Sequence, residues 1–193
     1  MAKPDDRRYS GAVYWERRLP HWVPERASVF VTWRLAGPPP YKPAVLIKDP
    51  GRRFAHEDRE MDRAPTGPKW LRDPAVAEMC TEALHHGAGT RYELHAWVIM
   101  PNHVHLILTP KADLAQTVRW LKIATAKRTN DLLGRTGQPF WHREYFDHWI
   151  RSEQEFNRVV RCVEHVAAGL VQSPEHWQWS SAYVPPVVGL RHR

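Results

Sequence analysis

The stretch Met100–Leu108, which reads Met-Pro-Asn-His-Val-His-Leu-Ile-Leu, decides the fold of this chain. Side chains alternate along a β-strand, so the apolar residues at its even positions are predicted to pack against helices, while His103 and His105 face the other side. Only Pro101-Asn102 separates this strand from the preceding run Arg91–Met100. The two strands are therefore predicted to pair as a tight antiparallel hairpin.

Further strands and helices are predicted on both sides of this hairpin from apolar periodicity and from capping residues. In chain order they are a strand at Val29–Leu35, a helix from Asp73-Pro74 to Gly87, the hairpin, a helix from Asp113 to Leu133, a strand at Glu144–Ile150 and a helix beginning with the capping box Ser152–Glu155. The order β-α-β-β-α-β is that of a ferredoxin-like fold. The predicted class is α+β, a ferredoxin-like sandwich with an additional C-terminal helix.

Changes in composition divide the chain into three parts. Residues 1–27 are charged and are predicted to form a basic N-terminal arm, 28–183 a single domain and 184–193 a C-terminal tail. Within the domain, residues 37–68 are rich in proline, glycine and charge, which predicts a long surface excursion with a short helix near Ala55–Asp62.

The composition limits the classes of partner. The formal charge of +7 over 193 residues favours an anionic partner such as nucleic acid, although a generic basic surface explains charge alone equally well. Two cysteines are too few for a disulfide framework or a cysteine-based zinc site. The N-terminus lacks an apolar signal core, and apolar runs are far shorter than the roughly 20 residues of a membrane helix, so we expect a cytoplasmic protein without a membrane partner.

The pair His103 and His105 is a candidate metal site. Two imidazoles on one strand face can both reach one divalent ion, which could polarise a phosphodiester during cleavage. In a chain with 12 histidines, the pair by itself favours a merely polar sheet face. A third alternating histidine would indicate a histidine-triad nucleotide hydrolase, but Ile107 occupies that position.

The amino-acid sequences of several segments resemble those of a known family. The string His95–His105 closely resembles the small single-strand tyrosine transposases of the insertion-sequence-200 type, and most closely their chromosomal branch, the REP-associated tyrosine transposases. Other similar stretches follow in the same order: Arg17–Trp22, Trp70–Pro74, Phe140–Asp147, Ala168–Val171 and Trp177–Ala182. The resemblance extends over residues 15 to 183, with only 37–68 poorly matched.

This resemblance implies a ferredoxin-like domain that binds single-stranded or hairpin DNA. In the family, a tyrosine on the helix after the fourth strand attacks a phosphodiester and forms a covalent link to DNA. A Mg²⁺ or Mn²⁺ ion is held by the two histidines, here His103 and His105, and by an Asn or Gln four residues after the tyrosine.

The last helix departs from that pattern. The family's nucleophile position falls on Cys162, and the residue four positions later is Val166. His165 lies one turn after Cys162, so the two could replace the missing groups as metal ligands. Tyr145 is a fallback nucleophile, although an aromatic residue packed on the fourth strand is the simpler interpretation.

The second long helix is the candidate DNA surface. It carries the basic residues Arg119, Lys122, Lys127 and Arg128, with Trp120 off its apolar stripe. Basic side chains can contact phosphates, and an exposed ring can stack on a base. A solvated helix face without function explains each residue equally well.

Together these features predict a DNA-binding protein of the transposase type, a monomer or homodimer, that keeps the metal histidines but has impaired strand transfer. One alternative is a catalytically inactive hairpin-DNA binder or repressor in which the histidines have no role. Another is a metal-dependent phosphoesterase that uses water as its nucleophile.

Overall fold

The computed structural model describes residues 23–24, 26–39, 46–64, 66–166 and 179–182. In chain order its elements are β1 (Val29–Arg34), α1 (Pro50–Arg63), α2 (Pro74–Gly87), β2 (Tyr92–Ile99), β3 (His103–Pro110), α3 (Leu114–Leu132), β4 (Phe146–Trp149) and α4 (Glu153–Val166). A short 3₁₀ turn, Trp70–Arg72, precedes α2. Most of the predicted N-terminal arm, the stretch Ala168–Val171 and the tail lie outside the described residues.

The four strands form one sheet in the order β2-β3-β1-β4, and all three pairings are antiparallel. With α2 between β1 and β2 and α3 between β3 and β4, this is the ferredoxin-like arrangement, so the predicted α+β class and the additional C-terminal helix are confirmed. α1 is a second addition, inserted between β1 and α2.

The helices α2 and α3 begin where their capping residues predict. Asp73 accepts a hydrogen bond from the Ala75 backbone N–H, and Asp113 accepts one from Gln116. Both helices cover the apolar face of the sheet, where the side chains of β3 alternate as expected and Leu106 is fully buried. This cluster is the main hydrophobic core.

The opposite face of the sheet carries the two histidines. α4 packs there, and Val163 with its neighbours covers Ala96, Val98 and Ile107. α1 reaches the same side of the sheet, because Phe54 stacks on Phe146 at a ring-centroid distance of 3.8 Å. The face predicted to be polar is therefore enclosed by two helices.

The helix within residues 37–68 is longer than the sequence predicts. It spans 14 residues rather than Ala55–Asp62, because Asp49 caps its N-terminus by accepting a hydrogen bond from Arg52 and Pro50 occupies the first turn. Met61 near its C-terminal end is buried, so this segment is packed on the domain.

The far edge of β2 is occupied by the segment 179–182. The Ile99 N–H donates to the Trp179 carbonyl at 2.9 Å, and the Ser181 N–H donates to the Trp97 carbonyl at 2.9 Å. In the part of the chain that the structure describes, no helix has the length and apolar character needed to cross a membrane.

Candidate metal centre

Three potential metal ligands meet between β3 and α1. His103 Nε2 lies 2.9 Å from His105 Nε2, and Asp58 Oδ1 lies 3.9 Å from the former and 3.7 Å from the latter. All three donor atoms lie within 4.8 Å of one another. The alternation of side chains along β3 places both histidines in this group, and α1 supplies the carboxylate.

Burial leaves two polar atoms of this group without a partner. His103 and His105 are 0% and 1% exposed, because α1 covers them. Within the described residues, Asp58 Oδ1 and His105 Nδ1 are buried and accept or donate no hydrogen bond. Buried polar atoms are almost always paired, so an orphaned carboxylate oxygen facing two imidazoles fits a bound cation.

Burial also shifts the ionisation of the group. Desolvation raises the pKa of Asp58 to about 7 and, together with the charge of Asp58, raises that of Asp62 to about 6. Desolvation lowers the pKa of His105 to about 4 and that of His103 well below its usual value, the latter with a further contribution from His105. Between about pH 4 and 6 the close Asp–His contacts are therefore contacts of neutral groups rather than ion pairs.

Neutral imidazole is the form of histidine that binds metals. A divalent cation in this group would stabilise the ionised carboxylate that burial otherwise disfavours. The donor set of two imidazole nitrogens and one carboxylate oxygen suits a divalent transition ion such as Mn²⁺ better than Mg²⁺, which prefers oxygen ligands.

Neighbouring side chains fix both imidazole rings. Asn102 Oδ1 lies 2.6 Å from His103 Nδ1. The Phe30 ring lies nearly parallel to that of His105, with centroids 5.5 Å apart and an interplanar angle of 22°. The two ligands are thus held in different ways, one by a hydrogen bond and the other by stacking.

A cavity of about 210 Å³ adjoins this group on the side of Asp58. Phe54 and Glu57 of α1 line it together with Arg34 and Tyr145. A larger cavity of about 1160 Å³ lies elsewhere, near the end of β3. Its lining charges balance, with Arg26 and Lys111 against Glu93 and Asp113. Neither cavity is lined by the histidine pair, but Asp58 lines the smaller one and none of the three ligands lines the larger. The metal-ligand chemistry therefore places the candidate site at the smaller cavity.

The structure does not bring the predicted residues of α4 to this group. Cys162 and His165 are exposed, and neither belongs to a group of three potential ligands among the described residues. Tyr145 packs against the main core, with Lys122 Nζ 5.5 Å from the centre of its ring. Of the two candidate nucleophiles, Tyr145 lines the cavity that Asp58 lines, and Cys162 does not.

Neighbouring segments half-bury two of the predicted DNA-binding side chains, Lys122 and Trp120. Lys122 is half-buried and donates hydrogen bonds to the carbonyls of His142, Arg143 and Glu144, at 3.0 to 3.1 Å, and burial lowers its pKa to about 8. Trp120 is half-buried rather than exposed, because the end of α2 covers it.

The Trp120 ring is already in contact with charged and polar groups. The Arg91 guanidinium lies 4.5 Å from the centre of the ring, and the His86 imidazole lies nearly parallel to it. The prediction of an exposed ring at Trp120 is therefore wrong, since apolar periodicity along one helix does not reveal what a neighbouring helix covers.

The remaining basic residues of α3 lie at the surface. Arg119 and Lys127 are exposed on either side of Ile123, which is 60% exposed. Arg128 is also exposed and forms an ion pair with Glu82 at 2.9 Å. DNA contact by these three basic residues stays a prediction.

Sequence reasoning missed Asp58. A signal was present, because Asp58 and Asp62 are four residues apart and so lie on one face of α1, close to Phe54 and Met61. An acidic residue beside apolar residues on one helix face is a candidate for a carboxylate that faces the domain, as Asp58 does.

The comparisons with known proteins agree on one family. The family model described as "Transposase IS200 like" matches residues 69–165. The REP-associated tyrosine transposase of Escherichia coli (strain K12) is 28% identical over 102 residues, which are 51% of this chain and 59% of that protein. The match thus spans less than two thirds of the curated relative. α1 and Asp58 lie outside the residues that the family model matches.

A solved structure has the same fold. The structure of a REP-associated tyrosine transposase bound to a REP hairpin has a TM-score of 0.57 and 17% sequence identity. The similarity covers 84% of this chain and 80% of that one.

Proposed function

The chain belongs to the family of IS200-like transposases, and on this basis we propose that it binds single-stranded or hairpin DNA and holds a divalent metal ion against a phosphodiester. The observation that carries the proposal is the buried group Asp58, His103 and His105, with its unpartnered carboxylate oxygen. Mn²⁺ and Mg²⁺ are the candidate ions. A cytoplasmic location and a monomeric or homodimeric state are part of the same proposal.

Three observations support DNA as the partner. The net charge is +7, and Arg119 and Lys127 present exposed cations on α3. Phosphate contacts of this kind supply most of the affinity for nucleic acid. A protein of the same fold is known in complex with a REP hairpin.

The chain's own residues have defined parts in this chemistry. His103, His105 and Asp58 would hold the ion, which when bound would withdraw charge from a phosphodiester oxygen. Phe30 and Asn102 orient the two imidazoles. α1 excludes water from the imidazoles, and substrate would approach through the cavity beside Asp58.

We further propose that covalent strand transfer is impaired. The family's nucleophile position is occupied by Cys162, which is exposed on α4 and lies in no group of potential ligands within the described residues. A thiol is not the nucleophile of this DNA chemistry. Tyr145 remains the fallback nucleophile because it lines the cavity beside Asp58.

Replacing His103 or His105 by alanine is expected to remove Mn²⁺ binding measured by titration calorimetry, because either change removes one of two nitrogen ligands. His165→Ala is the matched control and is expected to bind Mn²⁺ like the wild type, since His165 is exposed on α4. Unchanged Mn²⁺ affinity in both His103→Ala and His105→Ala would refute the metal site. DNA binding without any metal binding would then identify a hairpin binder or repressor.

Tyr145→Phe separates the possible nucleophiles. Wild-type protein and variant are incubated with Mn²⁺ and a hairpin oligonucleotide that carries a single-stranded extension, and products are resolved under denaturing conditions. We expect no covalent adduct in either protein. An adduct that disappears only in Tyr145→Phe would contradict impaired strand transfer and identify Tyr145 as the nucleophile. Metal-dependent nicking without an adduct would identify water.

A further inference from the structure

We propose that Asn102 is a positioning residue that fixes the ring tautomer of His103 and ties that tautomer to the docking of α1. The inference rests on the proposed metal site and adds a means by which that site is made ready. Asn102 follows Pro101 in the β2–β3 turn and is 7% exposed. Both ends of its side-chain amide are engaged, one with His103 and the other with α1.

The direction of the hydrogen bonds follows from one carbonyl. Asn102 Nδ2 donates to the backbone carbonyl of Met61 at 3.0 Å, and a carbonyl can only accept. The amide oxygen of Asn102 must therefore face His103, where it lies 2.6 Å from Nδ1. Since that oxygen can only accept, His103 Nδ1 must carry the ring proton. His103 Nε2 is left with its lone pair directed at the metal site.

The two imidazoles are consequently unequal. His103 Nε2 and His105 Nε2 are 2.9 Å apart, so one of them must donate to the other. With the lone pair on His103, the donor is His105 Nε2–H, and His105 Nδ1 is then the unprotonated nitrogen that has no partner among the described residues. His103 is a ready ligand, whereas His105 must move its proton to Nδ1 before Nε2 can bind an ion.

The same chain of hydrogen bonds reaches α1. Met61 lies three residues after Asp58 and is buried at the C-terminal end of that helix. When α1 docks, the Met61 carbonyl orients the Asn102 amide, and Asp58 arrives beside the imidazoles. The docking of α1 thus brings the carboxylate ligand to the site and sets the tautomer of His103 at the same time. Partners that orient a histidine ligand in this way usually contribute 10- to 100-fold, roughly, to metal affinity.

Asn102→Ala is the test, and Asn130→Ala is its matched control. Asn130 is 6% exposed and also donates to a backbone carbonyl, that of Gln138 at 2.6 Å, but it lies on α3 across the sheet. We expect Asn102→Ala to lower Mn²⁺ affinity by about 10- to 100-fold and Asn130→Ala by less than about twofold. Equal losses of affinity in the two variants would overturn the proposal.

Nitrogen-15 spectra of the histidine rings in the metal-free protein provide a readout that a purely structural role would not move. His103 is expected as the Nδ1–H tautomer in the wild type, and to lose that preference in Asn102→Ala. Asp58→Asn should keep the tautomer, because the hydrogen bonds from Met61 through Asn102 are intact. An Nε2–H signature for His103 in the wild type would overturn the proposal without any variant. A wild type that binds no Mn²⁺ but has the Nδ1–H signature would refute the metal site alone.

Discussion

Replacing Asp58 by asparagine is expected to stabilise the metal-free protein above pH 7 and to abolish its affinity for Mn²⁺. Both effects come from the buried Oδ1 atom of Asp58. Without a cation this oxygen has no hydrogen-bond partner, and its charge destabilises the folded protein. With a cation the same oxygen is a metal ligand. Asparagine has the same shape and no charge. The expected gain in the free energy of unfolding at pH 8 is on the order of 2–4 kcal/mol.

The sign of the pH dependence follows from the raised pKa. Burial raises the pKa of Asp58 from 3.8 to about 7, so between these values the folded state binds more protons than the unfolded state. The contribution of Asp58 to the stability of the metal-free protein should therefore fall as the pH rises through this window. The lowered pKa values of His103 and His105 act in the opposite direction, so the difference in stability between wild type and Asp58→Asn is the quantity that isolates Asp58. Below pH 4 wild type and Asp58→Asn should be equally stable, since both side chains are then neutral.

Urea denaturation at pH 4, 6 and 8 with a chelator present measures this difference. Glu60→Gln on the same helix is the control and should follow the wild type at each pH. With Mn²⁺ in place of the chelator, only proteins that keep Asp58 should gain stability. Destabilisation by Asp58→Asn at pH 8 without metal would mean that Asp58 is the ion-pair partner of a charged histidine rather than a metal ligand.

Replacing Lys122 by methionine is expected to destabilise the protein by about 2 kcal/mol, because three backbone carbonyls lose their donor. Methionine retains an apolar side chain of similar length and removes the ammonium group, which lies 5.8 Å and 5.5 Å from the centres of the Trp33 and Tyr145 rings. Lys127→Met, on the same helix but exposed, should change stability by no more than about 0.5 kcal/mol.

For DNA binding we expect the opposite pattern, with an effect of Lys127→Met and none of Lys122→Met. Lys127→Met is expected to weaken binding to a hairpin oligonucleotide at low salt and to reduce the salt dependence, as loss of one phosphate contact does. Lys122→Met should leave the salt dependence unchanged, because its ammonium is directed into the segment 142–144. If Lys122→Met is stable and its hairpin binding depends less on salt than that of the wild type, Lys122 contacts a DNA phosphate.

The features that were predicted correctly from the sequence are those that depend on neighbouring residues in the chain. Alternation along β3 placed the two histidines on the face opposite the main core, and the short Pro101-Asn102 connection predicted the hairpin. Asp73 and Asp113 marked the starts of α2 and α3. Each of these predictions depends on residues that are close together in the chain, where periodicity and capping are informative.

The parts that were missed depend on contacts between distant segments. Asp58 joins the histidines from α1, although it precedes His103 by more than forty residues in the chain. No spacing rule relates positions so far apart. Trp120 was predicted to be exposed because it lies off the apolar stripe of α3, and Lys122 was grouped with the basic residues of that helix that could contact DNA. The end of α2 and the segment 142–144 cover them instead, and periodicity within one helix has no information about such neighbours.

The way α1 is attached affects how the domain opens. Among the residues that the structure describes, the two hydrophobic clusters that hold the sheet to α2, α3 and α4 include none from α1. It contacts the domain through the Phe54 ring, the buried Met61 with its carbonyl, and the acidic side chains. We therefore expect α1 to detach as a separate cooperative unit, at a free energy below that of global unfolding. Such sub-global opening would expose both imidazoles while every strand pairing remains intact, which gives ions and DNA a route to the site without unfolding the protein.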